Sequence, residues 1–228
     1  MSKLSKKPAR SASAVSIIGG ADGPTSVFII GKKEKNLFRR MKRVFYNGRY
    51  RRKKRLAERS IVPGTHTMQE MLQYAKERYG FAEMNNSYRN YEEMKRRWRH
   101  NQISRKRPEL LREEKKIPPP EDFHDSEAVR EWEKRIQERT VMREKEIDAI
   151  PPEVFPTDYH LFVAEKERGR LEMEVDLLYG DLAVSYVGGE KKAMDSVVKD
   201  IYRYYGVSQE DIDHKTERYR ELLMALSM

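Results

Sequence analysis

The stretch RLEMEVDLLYGDLAVSYV at residues 170–187 decides the fold of this chain. Its first half alternates apolar residues with carboxylates, namely Leu171, Met173, Val175 and Leu177 with Glu172, Glu174 and Asp176. Because successive side chains of a strand point to opposite faces, this period of two predicts a half-buried strand with its carboxylates toward solvent. Apolar runs at 159–165 and 182–187 flank it across short glycine-containing turns, which predicts a three-stranded antiparallel meander.

Helical patterns follow the meander. After a pair of glycines, helices are expected at about 190–205 and 209–226, where apolar residues recur at steps of three and four. Ser208 with Asp211 predicts the N-terminal cap of the second helix. The C-terminal part is therefore expected to be an α+β unit, a three-stranded antiparallel meander packed by two helices.

Helices also dominate the sequence that precedes the meander. A basic helix is expected over 35–59, and a second helix begins at a capping box formed by Thr67 and Glu70 and ends at Gly80. Further helices are expected over 88–99 and over 126–147. The whole chain is accordingly predicted to be α+β, with basic helices on its N-terminal side.

Composition and proline content divide the chain into four parts. Residues 1–13 are rich in Lys, Ser and Ala and predict a disordered leader, and 14–116 form a basic section with a hairpin and helices. Residues 117–157 begin with Ile-Pro-Pro-Pro and predict a proline-bounded linker that carries a charged helix. Residues 158–228 form the C-terminal α+β unit.

The net charge of +10 is unevenly distributed. Residues 1–60 hold 18 Lys and Arg against 3 Asp and Glu, whereas residues 117–228 hold 16 against 26. The chain is thus a basic N-terminal arm joined to an acidic body. It has no cysteine, which excludes disulfides and thiolate metal sites. It also lacks an uninterrupted apolar run of the roughly 20 residues that span a bilayer, so a soluble cytoplasmic protein is expected.

Two basic clusters interleave cations with aromatic residues, RMKRVFYNGRYRRKKR at 40–55 and KRRWRHNQISRKR at 95–107. Lys and Arg neutralise phosphates and aromatic rings stack on unpaired bases, so this composition suits RNA or ribosome contact. It equally suits docking on an acidic protein surface, the chain's own or another's, or on an acidic lipid surface. The candidate contact residues are Arg39, Arg40, Lys42, Arg43, Arg49, Arg51, Arg52, Lys53, Lys54, Arg55, Arg96 and Arg97.

No catalytic constellation emerges from the sequence. The five histidines, at 66, 100, 124, 160 and 214, lack the spacing of a helical metal site, and there is no G-x-S-x-G motif. The carboxylates of the central strand are read as a solvent face rather than as acid–base groups. The sequence therefore predicts a non-catalytic protein that binds a partner, with no cofactor derived from its residues.

Residues 16–30, SIIGGADGPTSVFII, predict a small hairpin with strands at 15–18 and 27–30 joined by a Gly-Asp-Gly-Pro loop. The string resembles the GGADGPT signature of the beta subunit of sodium ion-translocating decarboxylases. The chain also contains IVPGTHTMQEMLQYAKERYG at 61–80 and YYGVSQEDIDHKTERY at 204–219. Through these phrases it resembles, over nearly its full length, a set of short soluble Firmicutes proteins that carry the same label.

The resemblance implies a sodium ion-translocating role as a carboxy-lyase subunit in a membrane complex. It places sodium on Asp22, in a loop shaped by Gly19, Gly20, Gly23 and Thr25 together with the proline between the last two. A hard cation prefers carboxylate, hydroxyl and carbonyl oxygens, and glycines allow carbonyls to turn toward it. Sodium is the one cofactor that the resemblance implies.

Overall fold

A computed structural model describes residues 18–20, 23–25, 37–113, 117–123 and 125–228, with side chains from residue 48 onward. The leader predicted for 1–13 lies outside the described residues. The elements in chain order are β1 (Ile18–Gly20), β2 (Gly23–Thr25), α1 (Leu37–Ser60), β3 (Gly64–Thr65), α2 (Met68–Tyr79), β4 (Ala82–Met84), α3 (Tyr91–Lys106), α4 (Ser126–Asp148), β5 (Tyr159–Lys166), β6 (Gly169–Asp176), β7 (Asp181–Gly188), α5 (Lys191–Tyr205), β8 (Gly206–Val207), α6 (Gln209–His214) and α7 (Glu217–Ser227).

The α+β fold predicted from the sequence is confirmed. Strands β5, β6 and β7 form the expected antiparallel meander, with Leu161 opposite Glu174 and Glu174 opposite Ala183. A fourth strand that the sequence did not reveal, β4, pairs with β5 and places Ala82 opposite Val163. The sheet order is therefore β4, β5, β6, β7.

One face of the sheet carries the main core. Leu171, Met173 and Val175 of β6 are fully buried, as their alternation predicts, and they pack in one cluster with Met71 of α2 and Ile201 of α5. Each buried aliphatic side chain contributes about 1.5–3 kcal/mol when it leaves water. Helices that precede and follow the meander in sequence therefore both contribute to this core.

The opposite face of the sheet corrects the expectation of a solvent-exposed carboxylate row. Tyr91, Met94 and Trp98 of α3 form a second cluster with Tyr159 and Leu161 of β5, so α3 packs on this face. On the same strand, Asp176 is completely buried and Glu174 is half-buried. A period of two identifies the two faces but does not tell whether a distant helix packs on the polar one.

Helix ends follow their capping residues. Thr67 Oγ1 accepts a hydrogen bond from the backbone N–H of Glu70 while the Glu70 carboxylate accepts one from the N–H of Thr67, and Gly80 ends α2 in the left-handed conformation. Ser208 and Asp211 form a second box, yet the single helix expected at 209–226 is two helices. Lys215 adopts a left-handed φ of 50°, and Thr216 caps the new helix α7.

The hairpin predicted around the GGADGPT string is present. Strands β1 and β2 pair antiparallel, with Ile18 opposite Thr25 and Gly20 opposite Gly23. These strands lie nearer the turn than the predicted strands at 15–18 and 27–30, of which most residues lie outside the described part.

The chain divides into two compact units. One combines residues 33–99 with 150–228 and holds the four-stranded sheet, and the other combines 1–32 with 100–149 and holds α4. The larger unit therefore joins segments from both sides of the proline-rich stretch at 117–120. The four-part organisation expected from composition stays a prediction.

Candidate nucleic-acid interface

The basic cluster at 40–55 lies on α1, which packs on α7 in the larger unit. Ala57 is buried with Tyr219, Leu222 and Leu223 of α7 and with Val207, so an apolar contact fixes the helix. All residues of α1 from Gly48 to Leu56 are exposed. From residue 48 onward the helix therefore packs through Ala57 and presents its other side chains to solvent.

From residue 48 onward, the exposed cations of α1 pair with no carboxylate of the described part of the chain. Arg49, Arg51, Arg52, Lys54 and Arg55 make no hydrogen bond or ion pair with any described residue. Lys53 Nζ donates to the backbone carbonyl of Met228 at 2.9 Å. We name this set, residues 49–55 without Tyr50, the α1 basic surface. The four remaining candidates, Arg39, Arg40, Lys42 and Arg43, lie in α1 where only the backbone is described.

The second basic cluster, at 95–107, differs because many of its cations bind groups of the chain. Arg99 Nη2 donates to the carbonyl of Ile150 at 2.6 Å. Arg107 pairs with Glu109, and Arg96 also has an interaction within the protein. His100 Nε2 lies 2.7 Å from Asp148 Oδ1. These contacts tie α3 to neighbouring segments and leave fewer of its charges available to a partner.

Arg97, the other candidate on α3, lies near a buried polar pair. Tyr159 Oη donates to Glu174 Oε1 at 3.0 Å. Burial raises the pKa of Glu174, and the hydrogen bond from Tyr159 and the charge of Arg97 oppose that rise. Burial also raises the pKa of Tyr159, and the negative charge of Glu174 adds to it. Arg97 therefore stabilises a half-buried carboxylate of the sheet.

A stack of three aromatic rings joins α2, α5 and the loop before α2. The ring of Tyr204 lies between those of Tyr74 and His66, with centroid distances of 3.9 and 4.0 Å and interplanar angles of 2° and 12°. His66 is exposed and forms the outer end of the stack. In the sequence His66 stands only as an isolated histidine, because nothing local signals a contact across 138 residues.

The stack is held by hydrogen bonds at both ends. His66 Nδ1 lies 2.6 Å from the carbonyl oxygen of Tyr204, and since a carbonyl only accepts, Nδ1 carries the proton. Tyr74 Oη and Tyr79 Oη both donate to Asp200 Oδ2, at 2.5 and 2.6 Å. Burial, followed by the hydrogen bond and charge of Asp200, raises the pKa of Tyr74 to about 12.

The hairpin holds most of the residues that the decarboxylase resemblance implies for sodium. Gly19, Gly20, Gly23 and Thr25 lie in β1 and β2, and Asp22 lies outside the described residues. No three His, Asp or Glu side chains in the described ranges come together as a metal site. No helix in the described part of the chain is long and apolar enough to cross a bilayer.

Comparison with known proteins adds no relative. No protein-family model, no curated protein and no solved structure matches this chain. The resemblance to the decarboxylase beta subunit therefore stays a prediction from the GGADGPT string.

Proposed function

We propose that this protein binds nucleic acid, RNA in the first place, through the α1 basic surface. The observation that supports the proposal is the set of five exposed Lys and Arg side chains that no carboxylate of the described chain neutralises. Cations of this kind bind phosphates and release the counterions that condense on a nucleic acid. Docking of the arm on the chain's own acidic half would instead have occupied them.

The distribution of these cations around α1 favours RNA over an acidic protein. Successive helical residues are rotated by about 100°, so Arg51 and Arg55 lie on one side of α1 while Arg49, Arg52 and Lys54 point to other sides. The flexible backbone of a single-stranded nucleic acid can place its phosphates against cations on several sides of a helix, whereas a flat protein surface contacts one side. Tyr50, 52% exposed, adds a ring on which an unpaired base can stack.

In this proposal the protein is a binding protein of the cytoplasm and performs no catalytic step of its own. The absence of cysteine suits a reducing compartment. An acidic protein surface is the alternative partner, since its carboxylates attract the same cations. The salt dependence of RNA binding, and competition between RNA and an acidic polymer, distinguish a nucleic-acid partner from an acidic protein surface.

The test measures binding of a labelled single-stranded RNA across a series of salt concentrations. We expect affinity to fall steeply with salt. The double variant Arg52→Gln, Arg55→Gln should reduce the slope of log K against log salt by about 0.7 for each phosphate that it no longer neutralises. The matched control is Arg130→Gln, Arg168→Gln, which removes the same charge from exposed residues on α4 and in the β5–β6 turn.

Two results would contradict the proposal. One is the absence of RNA retention at low salt. The other is an equal loss of affinity in the control variant, because net charge alone would then explain binding. If polyglutamate displaces RNA and is bound more tightly, the acidic protein surface is the better assignment.

A further inference from the structure

The exposed face of His66 is the one open end of the three-ring stack with Tyr204 and Tyr74 in the described part of the chain. We propose that this face binds an unpaired nucleobase, so that the nucleic acid is single-stranded where it meets the stack. The inference rests on the proposed function and names the class of its substrate. Its ligand is a base rather than a phosphate.

The stack is organised before any ligand arrives. His66 is fixed through Nδ1 to the carbonyl of Tyr204, and its own backbone N–H donates to the carbonyl of Tyr205 at 3.2 Å. Arg218 Nη2 donates to the carbonyl of His66 at 3.2 Å. A ring held in this way loses little rotational freedom when a base packs on it, which favours binding.

The polar groups around His66 suit a base. Because Nδ1 carries the proton, Nε2 of the neutral ring has a free lone pair that accepts from an exocyclic amino group. Arg203, which precedes Tyr204 in the sequence of α5, is exposed and has no partner among the described residues. The nearby carboxylates are already engaged, Glu70 by Thr67 and Asp200 by two tyrosine hydroxyls.

Stacking on a single exposed ring selects unpaired bases. In a duplex each base covers its neighbours, and only an unstacked base offers its face to a protein ring. The stack accepts any base because every base has a π-face. We therefore expect single-stranded RNA to bind more tightly than a duplex of the same length.

The experiment uses the full chain and two probes. The first is single-stranded RNA containing 2-aminopurine, whose fluorescence is quenched when it stacks. We expect His66→Ala to abolish the quenching and to weaken binding roughly fivefold or more, since one stacked base contributes about 1–3 kcal/mol. His66→Phe keeps a ring but loses both nitrogens, so it should retain the quenching and bind more weakly than the wild type but more tightly than His66→Ala. His214→Ala, which alters an exposed histidine on α6, should change neither quenching nor binding.

The second probe is adenosine monophosphate alone, with ribose 5-phosphate as the matched ligand without a base. We expect the first to shift the ring-proton resonance of His66 and the second to leave it in place. RNA binding that keeps its salt slope but never depends on His66, with no shift by adenosine monophosphate, would overturn this inference and leave the proposed function standing. A shift without any RNA binding would support the stack and overturn the proposed function, and the absence of both would overturn both.

Discussion

Asp200 organises its surroundings at the scale of single residues. Its Oδ2 accepts hydrogen bonds from Tyr74 and Tyr79, and Arg78 Nε lies 3.5 Å from the same oxygen. The folded protein thereby favours the protonated form of Tyr74, whose pKa rises from 10.0 to about 12. The stack that ends at His66 depends on this hydroxyl for its inner anchor.

The first prediction concerns Tyr74→Phe. Below pH 10 the raised pKa contributes its full stabilisation, and that contribution is lost as the pH rises through about 12. We expect the variant to be about 1–2 kcal/mol less stable than the wild type at pH 8. The difference should shrink between pH 10 and 12, measured by urea unfolding.

Tyr50→Phe is the control for this prediction, because Tyr50 is exposed and makes no hydrogen bond within the described chain. If the difference in unfolding free energy between the wild type and Tyr74→Phe stays constant up to pH 12, the raised pKa of Tyr74 is contradicted.

Single residues also show which structural features a local sequence pattern can predict and which it cannot. The alternation in β6 correctly assigned Leu171, Met173 and Val175 to the core. It could not reveal that Asp176 is buried, because alternation alone does not show that the loop N–H groups of Leu178 and Tyr179 hydrogen-bond to its carboxylate. In the same way, the three rings of the stack come from segments distant in sequence, and no local pattern marks them.

At the scale of elements, the two-residue pair of β3 and β8 depends on one glycine, Gly206. Thr65 lies opposite Gly206, which has φ 64° and ψ −168°. A side chain at Gly206 would place its Cβ 1.9 Å from the carbonyl oxygen of Gly64. This close approach holds the segment before α2, including His66, against the end of α5.

The second prediction compares two glycine substitutions. Gly206→Ala should lower the free energy of unfolding by about 3 kcal/mol or more, because the conformation is strained for alanine and the backbone of Gly64 stands in the way. Gly48→Ala is the matched control. It lies in α1 with nothing within 4 Å of its added Cβ, so it should be neutral or raise stability by up to about 1 kcal/mol. Equal effects in urea unfolding would show that backbone conformation at Gly206 is unimportant.

Elements with strong local signals were predictable. The capping box of Thr67 with Glu70 located α2, and Asp125 marks the start of α4 by accepting from the N–H groups of Glu127 and Ala128. Strand β4 was not predictable, since its three residues gain their pairing only from β5. The break at Lys215 was missed because a left-handed lysine carries no compositional mark.

At the scale of the whole molecule, the charge asymmetry seen in the sequence does not translate into internal pairing of the described α1 cations. The helix is held by Ala57 and apolar residues of α7, whereas its charges face solvent. Sequence counting located the positive charge but left open whether the chain itself neutralises it. Only the packing distinguishes an available surface from an occupied one.

The third prediction follows from this arrangement. Unpaired cations on one helix repel each other, and salt screens that repulsion over a Debye length of about 8 Å at physiological ionic strength. We expect the melting temperature to rise or remain constant between low and high NaCl. Arg52→Gln, Arg55→Gln should be less sensitive to salt than the wild type. A melting temperature that falls as the salt concentration rises would indicate that ion pairs stabilise α1 in the folded protein.

The position of β4 in the sheet has a consequence for the order of folding. Strands β5, β6 and β7 follow one another in sequence and pair across short turns. Strand β4 pairs with β5 only when Ala82 meets Val163, a residue distant in sequence. Closing so long a loop reduces the conformational entropy of the chain before the contacts of β4 with β5 can offset that loss. We therefore expect the meander to form first through its local turns, and β4 to join its edge only after the second half of the chain has been synthesised.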